Sequence, residues 1–121
     1  MGQPVVHWEF WSAEPGRAAE FYQRVFEWEI RTIPELDYRL VETGGEKGIN
    51  GGIMTPKAGP WPAKLALYID VDDVDKFIQR IQEAGGKILV PKTLVPGVGE
   101  LSLFEDPDGR VLGIWRRDPN Q

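Results

Sequence analysis

The stretch FYQRV at residues 21–25 recurs as FIQRI at residues 77–81. Both pentapeptides lie inside segments whose apolar residues repeat with the period of an amphipathic helix. Three of the five positions are identical, one exchanges Val for Ile, and the two copies occupy equivalent places in the two predicted helices. We interpret the pair as the trace of an internal duplication. The chain is therefore predicted to contain one structural module twice.

Around each predicted helix the sequence shows one strand before it and three strands after it, separated by turn residues. The predicted strands of the first module are VVHWEFW (5–11), WEIRTI (28–33), LDYRLVE (36–42) and GINGGIM (48–54). Those of the second module are KLALYIDV (64–71), KILVP (87–91), GELSLFE (99–105) and RVLGIWR (110–116). The order is therefore βαβββ twice, with the first module at about 4–54, a turn-rich linker at 55–63 and the second module at about 64–117. This order predicts the α+β class.

The composition is that of an ordinary globular domain. The 121 residues are 41% hydrophobic and 27% charged, and no apolar run approaches the length of a membrane span. The start of the chain has no signal-peptide pattern, so we expect a cytoplasmic protein. A net charge of −5 disfavours nucleic acid as a partner. The absence of cysteine excludes disulfides and thiolate ligands, so that any metal would need His, Asp, Glu, Asn or water.

The first predicted strand carries the only histidine of the chain. Alternation along the strand places His7, Glu9 and Trp11 on one face and Trp8 on the other. His7 and Glu9 are two residues apart, which suits a general base with an orienting carboxylate. A strand histidine is equally compatible with a polar contact in a binding pocket or with a hydrogen-bonded structural role. All three interpretations remain open at this point.

Six segments together carry a resemblance to a known family. They are the opening strand with His7, AAEFYQRVFEWEI (18–30), GINGGIM (48–54), YIDVDDVD (68–75), EAGGKILVP (83–91) and LFEDPDGRVLGIW (103–115). Their order and spacing resemble the vicinal-oxygen-chelate superfamily, which includes glyoxalase I, bleomycin-resistance proteins and extradiol dioxygenases. The resemblance implies two βαβββ modules forming a cupped, largely antiparallel sheet with the helices outside, and it implies a homodimer.

The same resemblance implies four positions for metal ligands. His7 occupies the first, and the strand around 48–54 offers only Asn50 for the second. Ala66 and Gly113 occupy the third and fourth. Because a single imidazole does not hold a divalent ion, we expect neither the inherited metal site nor any other cofactor. The alternative is a divalent Zn, Ni, Mn or Fe ion at a rearranged site that uses His7, Glu9 and Asp70.

The leading hypothesis is a protein that binds a small organic molecule in an aromatic-lined cup. The predicted ligand-binding residues are His7, Glu9, Trp11, Asn50, Tyr68, Asp70, Ser102, Gly113 and Trp115. Tyr38 or Arg39 in the third strand is a further candidate for specificity. The main rival is an enzyme, either a glyoxalase-type lyase or isomerase or a dioxygenase, with His7 and Glu9 as the catalytic pair. A subunit that contributes only a dimer surface, and a cup filled by its own tryptophans, are also compatible with the sequence.

Overall fold

A computed structural model describes residues 2–55 and 64–118, so most of the predicted linker, residues 56–63, lies outside the described residues. The first half contains β1 (Val5–Trp11), α1 (Pro15–Phe26), β2 (Glu29–Ile33), a 3₁₀ turn (Pro34–Leu36), β3 (Tyr38–Glu42) and β4 (Gly51–Met54). The second half contains β5 (Leu65–Asp70), α2 (Val74–Glu83), β6 (Lys87–Val95), β7 (Gly99–Glu105) and β8 (Val111–Arg117). The α+β class and the repeated βαβββ order are confirmed.

Two strand boundaries differ from the prediction by three residues or more, for local reasons. The strand predicted from residue 48 begins at Gly51, because Asn50 lies in the preceding loop and its side-chain oxygen accepts a hydrogen bond from the Thr43 N–H at 3.1 Å. The strand predicted to end at Pro91 continues to Val95. Its register against β7 shifts on both sides of Val90, and such irregularities accommodate a proline that has no N–H to donate.

The second helix begins and ends as its sequence predicts. Asp73 caps α2, because its side chain accepts a hydrogen bond from the Lys76 N–H at 3.1 Å. At the other end Gly85 has a φ of +97°, and the Gly86 N–H donates to the Ile81 carbonyl at 2.8 Å. Only glycine takes this left-handed conformation without strain, so the Gly-Gly pair ends the helix.

The chain divides into two compact units, His7–Ala66 and Leu67–Gln121 with Met1–Val6, called here the first and the second unit. In the first unit the strand order is β2-β3-β4-β1, with β1 and β4 parallel and the other pairs antiparallel. In the second unit the order is β5-β8-β7-β6, with β5 and β8 parallel. Each unit therefore has a largely antiparallel set of strands with one parallel pair.

Each helix covers one face of the strands in its own unit. The first core consists of buried Ala19, Val41 and Ile53 with Trp8, Phe10, Ala18, Trp28 and Ile30 around them. The second core consists of buried Val71, Val74 and Ile114 with Ile69, Phe77, Ile78, Ile81 and Phe104. Because strand side chains alternate, residues one position away lie on the opposite face, where the candidate site is found. Across the described ranges, neither helix has the length and apolar character needed to cross a membrane.

Candidate functional site

The candidate site lies on the face of β1 that is turned away from α1. His7, Glu9 and Trp11 share this face, as the alternation of the strand predicts, and Glu9 stands next to Gly52 of β4 in the parallel register. Glu9 is only 7% exposed, and Trp11 is 6% exposed. His7 is half-buried. A carboxylate is therefore held inside the protein, where it is costly unless it is hydrogen-bonded.

Four side chains, His7, Glu9, Trp11 and Tyr38, form one hydrogen-bonded group, called here the Glu9 cluster. The Trp11 indole N–H donates to Glu9 Oε1 at 2.6 Å, and the Tyr38 hydroxyl donates to Glu9 Oε2 at 3.0 Å. The same hydroxyl lies 2.9 Å from His7 Nε2. Both oxygens of the buried carboxylate accept hydrogen bonds, which offsets the cost of removing the charge from water.

Tyr38 reaches the cluster because Gly52 has no side chain. Tyr38 is the first residue of β3, directly after the 3₁₀ turn and after Asp37, whose φ is +50°. A Cβ at Gly52 would overlap the hydroxyl and the ring of Tyr38. Of the two specificity candidates in this strand, Tyr38 thus joins the cluster, whereas the Arg39 guanidinium lies near Gly16 on the side of α1.

Burial affects the protonation of His7. Removal of the ring from water lowers the pKa of His7 below its ordinary value of 6.5. The neutral imidazole is therefore the favoured form at neutral pH. A neutral imidazole carries one proton and one lone pair, so that it donates through one nitrogen and accepts through the other.

The second unit brings four of the other predicted residues onto one face. In the parallel register Tyr68 is paired with Gly113 and Asp70 with Trp115. Tyr68 is only 3% exposed, and a Cβ at Gly113 would overlap its ring and crowd Leu103. Asp70 and Trp115 are half-buried.

Two predicted ligand-binding residues lie away from these faces. Ser102 is fully buried and is paired with the core residue Ile114, and its hydroxyl donates to the Val90 carbonyl at 2.7 Å. Asn50 is exposed, and its side chain holds the loop at Thr43. Both side chains thus form a hydrogen bond with the backbone of a neighbouring segment.

Two surface depressions of the first unit lie outside the Glu9 cluster. One, of about 370 Å³, is lined by Ser12, Ala13, Glu14, Arg17, Ala18, Phe21 and Tyr22. The other, of about 240 Å³, is lined by Glu29, Ile30, Arg31, Leu40 and Glu42. Neither includes a member of the cluster. The depression beside α1 is therefore the rival location for a ligand in this unit.

A divalent metal needs several side-chain donors that converge on one point. His7 stands at the first family position, but the Asn50 oxygen is used by Thr43, and Ala66 and Gly113 offer no side-chain donor. Within residues 2–55 and 64–118, no three His, Asp or Glu side chains gather as a metal site requires. The described residues therefore do not fit a four-ligand metal site.

Two βαβββ units in sequence define the class to which this protein belongs. The chain is a member of the Glyoxalase/Bleomycin resistance protein/Dioxygenase superfamily, whose family model matches residues 5–114. It is 26% identical over 125 residues to the anthracycline biosynthesis protein DnrV of Streptomyces peucetius, a match covering 88% of this chain and 44% of the relative. It is 27% identical over 120 residues to the putative glyoxylase CFP32 of Mycobacterium tuberculosis (strain CDC 1551 / Oshkosh), a match covering 94% of this chain and 46% of the relative. The chain thus spans about half the length of these relatives.

A solved structure shows the same fold. The crystal structure of methylmalonyl-CoA epimerase from Mycobacterium tuberculosis superimposes with a TM-score of 0.65 at 16% sequence identity, covering 96% of this chain and 89% of that chain. Identity this low establishes the likeness of the fold alone.

Proposed function

We propose that this chain binds a small organic molecule through His7 and Tyr38, with Glu9 and Trp11 as the buried support of the site. We further propose that binding needs no divalent metal. The observation that carries the proposal is the Glu9 cluster, which holds a buried carboxylate between two donors and links it to a half-buried imidazole. Membership of a superfamily of small-molecule-binding proteins supports it.

The charges indicate which ligands to test first. Glu9 places a carboxylate beneath the Tyr38 hydroxyl, and the whole chain carries a net charge of −5. Both favour neutral or cationic ligands, because an anion is repelled at long range and gains no partner from Glu9. The aromatic ring of Tyr38 favours a flat or amphipathic molecule, which stacks on ring faces.

The test is a thermal-shift screen with neutral and cationic aromatic compounds, because a ligand of the folded state must raise its stability. We expect at least one compound to stabilise the protein, equally with and without a chelator. Tyr38→Phe should weaken that stabilisation, and Tyr22→Phe should leave it unchanged. Tyr22 is the matched control, because it stacks on Trp28 and lines the depression beside α1.

Three results would count against the proposal. Loss of binding in the Tyr22 variant alone would place the ligand beside α1. A broad screen without a single stabilising compound would favour a subunit that contributes only a dimer surface. Stabilisation by Zn²⁺, Ni²⁺, Mn²⁺ or Fe²⁺ that disappears in His7→Ala would contradict the metal-free part.

The second candidate function is acid–base catalysis of the glyoxalase type. The observation that favours it is the continuous hydrogen-bonded path from the imidazole of His7 through Tyr38 to the Glu9 carboxylate. A base oriented by a carboxylate is the usual arrangement for proton transfer. Turnover of any compound from the screen, lost in Tyr38→Phe and kept in Tyr22→Phe, would establish it. Binding without turnover leaves the first proposal in place.

The proposal includes a homodimer and a cytoplasmic location. Phe21, Val25 and Phe26 of α1 are each more than half exposed, which supports burial of apolar surface against a second copy. Size-exclusion chromatography with light scattering tests the assembly: we expect twice the mass of the chain, and the mass of one chain would contradict it.

A further inference from the structure

The proton on the Tyr38 hydroxyl decides the hydrogen-bond pattern of the whole cluster. This hydroxyl lies 2.9 Å from His7 Nε2 and 3.0 Å from Glu9 Oε2. A hydroxyl has one proton to donate and lone pairs to accept with. It can therefore donate to only one of these two atoms, and a hydrogen bond with the other requires that the other donates.

The carboxylate determines which neighbour receives the proton. An ionised Glu9 has no proton to give, and it already accepts the Trp11 indole N–H through its other oxygen. Tyr38 therefore donates to Glu9 Oε2. The contact with His7 is then satisfied only if His7 Nε2 carries a proton and donates it to the Tyr38 oxygen. The remaining nitrogen, Nδ1, must hold the lone pair of the neutral ring.

We infer that Tyr38 is a positioning residue that fixes the neutral His7 in the Nε2–H tautomer and makes Nδ1 the proton-accepting atom of the site. Tyr38 reaches this place because Gly52 leaves space for its hydroxyl, and Trp11 fixes which oxygen of Glu9 faces it. This inference rests on the proposed function only where it has the Nδ1 lone pair of His7 accept a proton from a ligand. The tautomer itself belongs to the ligand-free protein.

Replacement of Glu9 by Gln tests the inference directly, because it should move the ring proton of His7 from Nε2 to Nδ1. The Trp11 N–H is a donor only, so it keeps the side-chain carbonyl of the new glutamine on its own side. The NH₂ group then faces Tyr38 and donates to its oxygen. The Tyr38 proton is left to point at His7 Nε2, which must accept it, and the ring proton moves to Nδ1.

The experiment is a two-bond ¹H–¹⁵N correlation spectrum of the ligand-free, ¹⁵N-labelled full chain at about pH 7.5, above the pKa of His7. His7 is the only histidine, so the spectrum contains a single imidazole pattern. We expect the Nε2–H pattern in the wild type and the Nδ1–H pattern in Glu9→Gln. Tyr38→Phe should move the nitrogen shifts towards a mixture of tautomers. Tyr22→Phe and Glu42→Gln, an exposed position on β3, should keep the wild-type pattern.

Each outcome supports or overturns the inference. An Nδ1–H pattern in the wild type would overturn it, since it would mean that the chain of bonds runs the other way from a protonated Glu9. An unchanged pattern in Tyr38→Phe would also overturn it, and this variant decides the matter if Glu9→Gln does not fold. In a folded Glu9→Gln protein, retention of the Nε2–H pattern contradicts the role assigned to Trp11 and Tyr38. None of these results needs a ligand, so a failure here leaves the proposed binding function standing.

Discussion

The two units repeat one arrangement and use it differently. In each, a tyrosine ring lies against a glycine of the last strand, Tyr38 against Gly52 in the first unit and Tyr68 against Gly113 in the second. Tyr38 comes from β3, and its hydroxyl enters a polar cluster. Tyr68 comes from the strand paired with Gly113, and its ring shares that space with Leu103. A missing side chain thus leaves space for a tyrosine ring in each unit, next to the Glu9 cluster in the first and next to the buried Leu103 in the second.

The largest effect is expected where the tyrosine has least room to move. Gly113→Ala drives a methyl group into the ring of Tyr68 and against Leu103, both buried, so we expect a loss of about 3 kcal/mol in the free energy of unfolding. Gly52→Ala meets the hydroxyl end of the half-buried Tyr38, which can move away only by giving up its contacts with Glu9 and His7, so it should cost about half as much. Urea unfolding measures both. A larger loss in Gly52→Ala would mean that the two pairs are not packed as described.

Removal of the buried carboxylate should have the next largest effect. Glu9→Gln gives Trp11 a neutral carbonyl in place of a charged acceptor and places an NH₂ donor opposite the Tyr38 hydroxyl, and we expect a loss of about 2 kcal/mol in urea unfolding. Glu42→Gln makes the same chemical change at an exposed position of β3 and should stay within about 0.5 kcal/mol of the wild type. Equal losses in the two variants would show that the cluster does not stabilise the first unit.

Loss of the Tyr38 hydroxyl should cost about 1 kcal/mol. Tyr38→Phe keeps the ring against Gly52 but removes a donor from Glu9 and a partner from His7. Tyr22→Phe is the control, since the Tyr22 ring stacks on Trp28 and makes its contacts through the ring; a change below about 0.5 kcal/mol is expected. An equally small loss of stability in Tyr38→Phe and Tyr22→Phe would show that the hydrogen bonds of the Tyr38 hydroxyl do not stabilise the protein.

The smallest effect is a pH dependence of stability that comes from His7. Burial lowers the pKa of His7 in the folded protein, so the unfolded chain takes up a proton first as the pH falls through 6.5. The unfolded state then binds more protons, and stability decreases towards acid until the folded state is protonated too. The stability difference between the wild type and His7→Gln should therefore shrink between about pH 7.5 and pH 5, while carboxylate titrations common to both cancel. A constant difference in urea unfolding would contradict this.

The sequence alone predicted the order of the helices and strands, and it predicted which residues of β1 share a face. The repeated pentapeptide and the helical periods predicted βαβββ twice, because both depend on local patterns. Alternation correctly placed His7, Glu9 and Trp11 together. These properties are fixed by residues that are close in the sequence.

What the sequence did not predict depends on register between distant strands. Tyr38 lies 31 residues from His7, and its contact requires β3 to pair with β4 so that Leu40 stands next to Gly52. Nothing local specifies that register. Gly52 was the available signal, because a strand glycine often marks the close approach of another group. Ser102, which is predicted as a ligand contact, stands next to the core residue Ile114 on the side of the helix.

The two indoles of β1 allow the most direct test of where a ligand binds. Trp11 donates to Glu9 on one face of the strand, and Trp8 donates to the Ile49 carbonyl at 2.7 Å from the other face. A compound that stabilises the protein is titrated into the ¹⁵N-labelled chain while the two indole N–H signals and the imidazole signals of His7 are followed. We expect saturable shifts at Trp11 and His7 and a constant signal at Trp8. A saturable shift at Trp8 with Trp11 and His7 unchanged would contradict the assignment of the site to the Glu9 cluster.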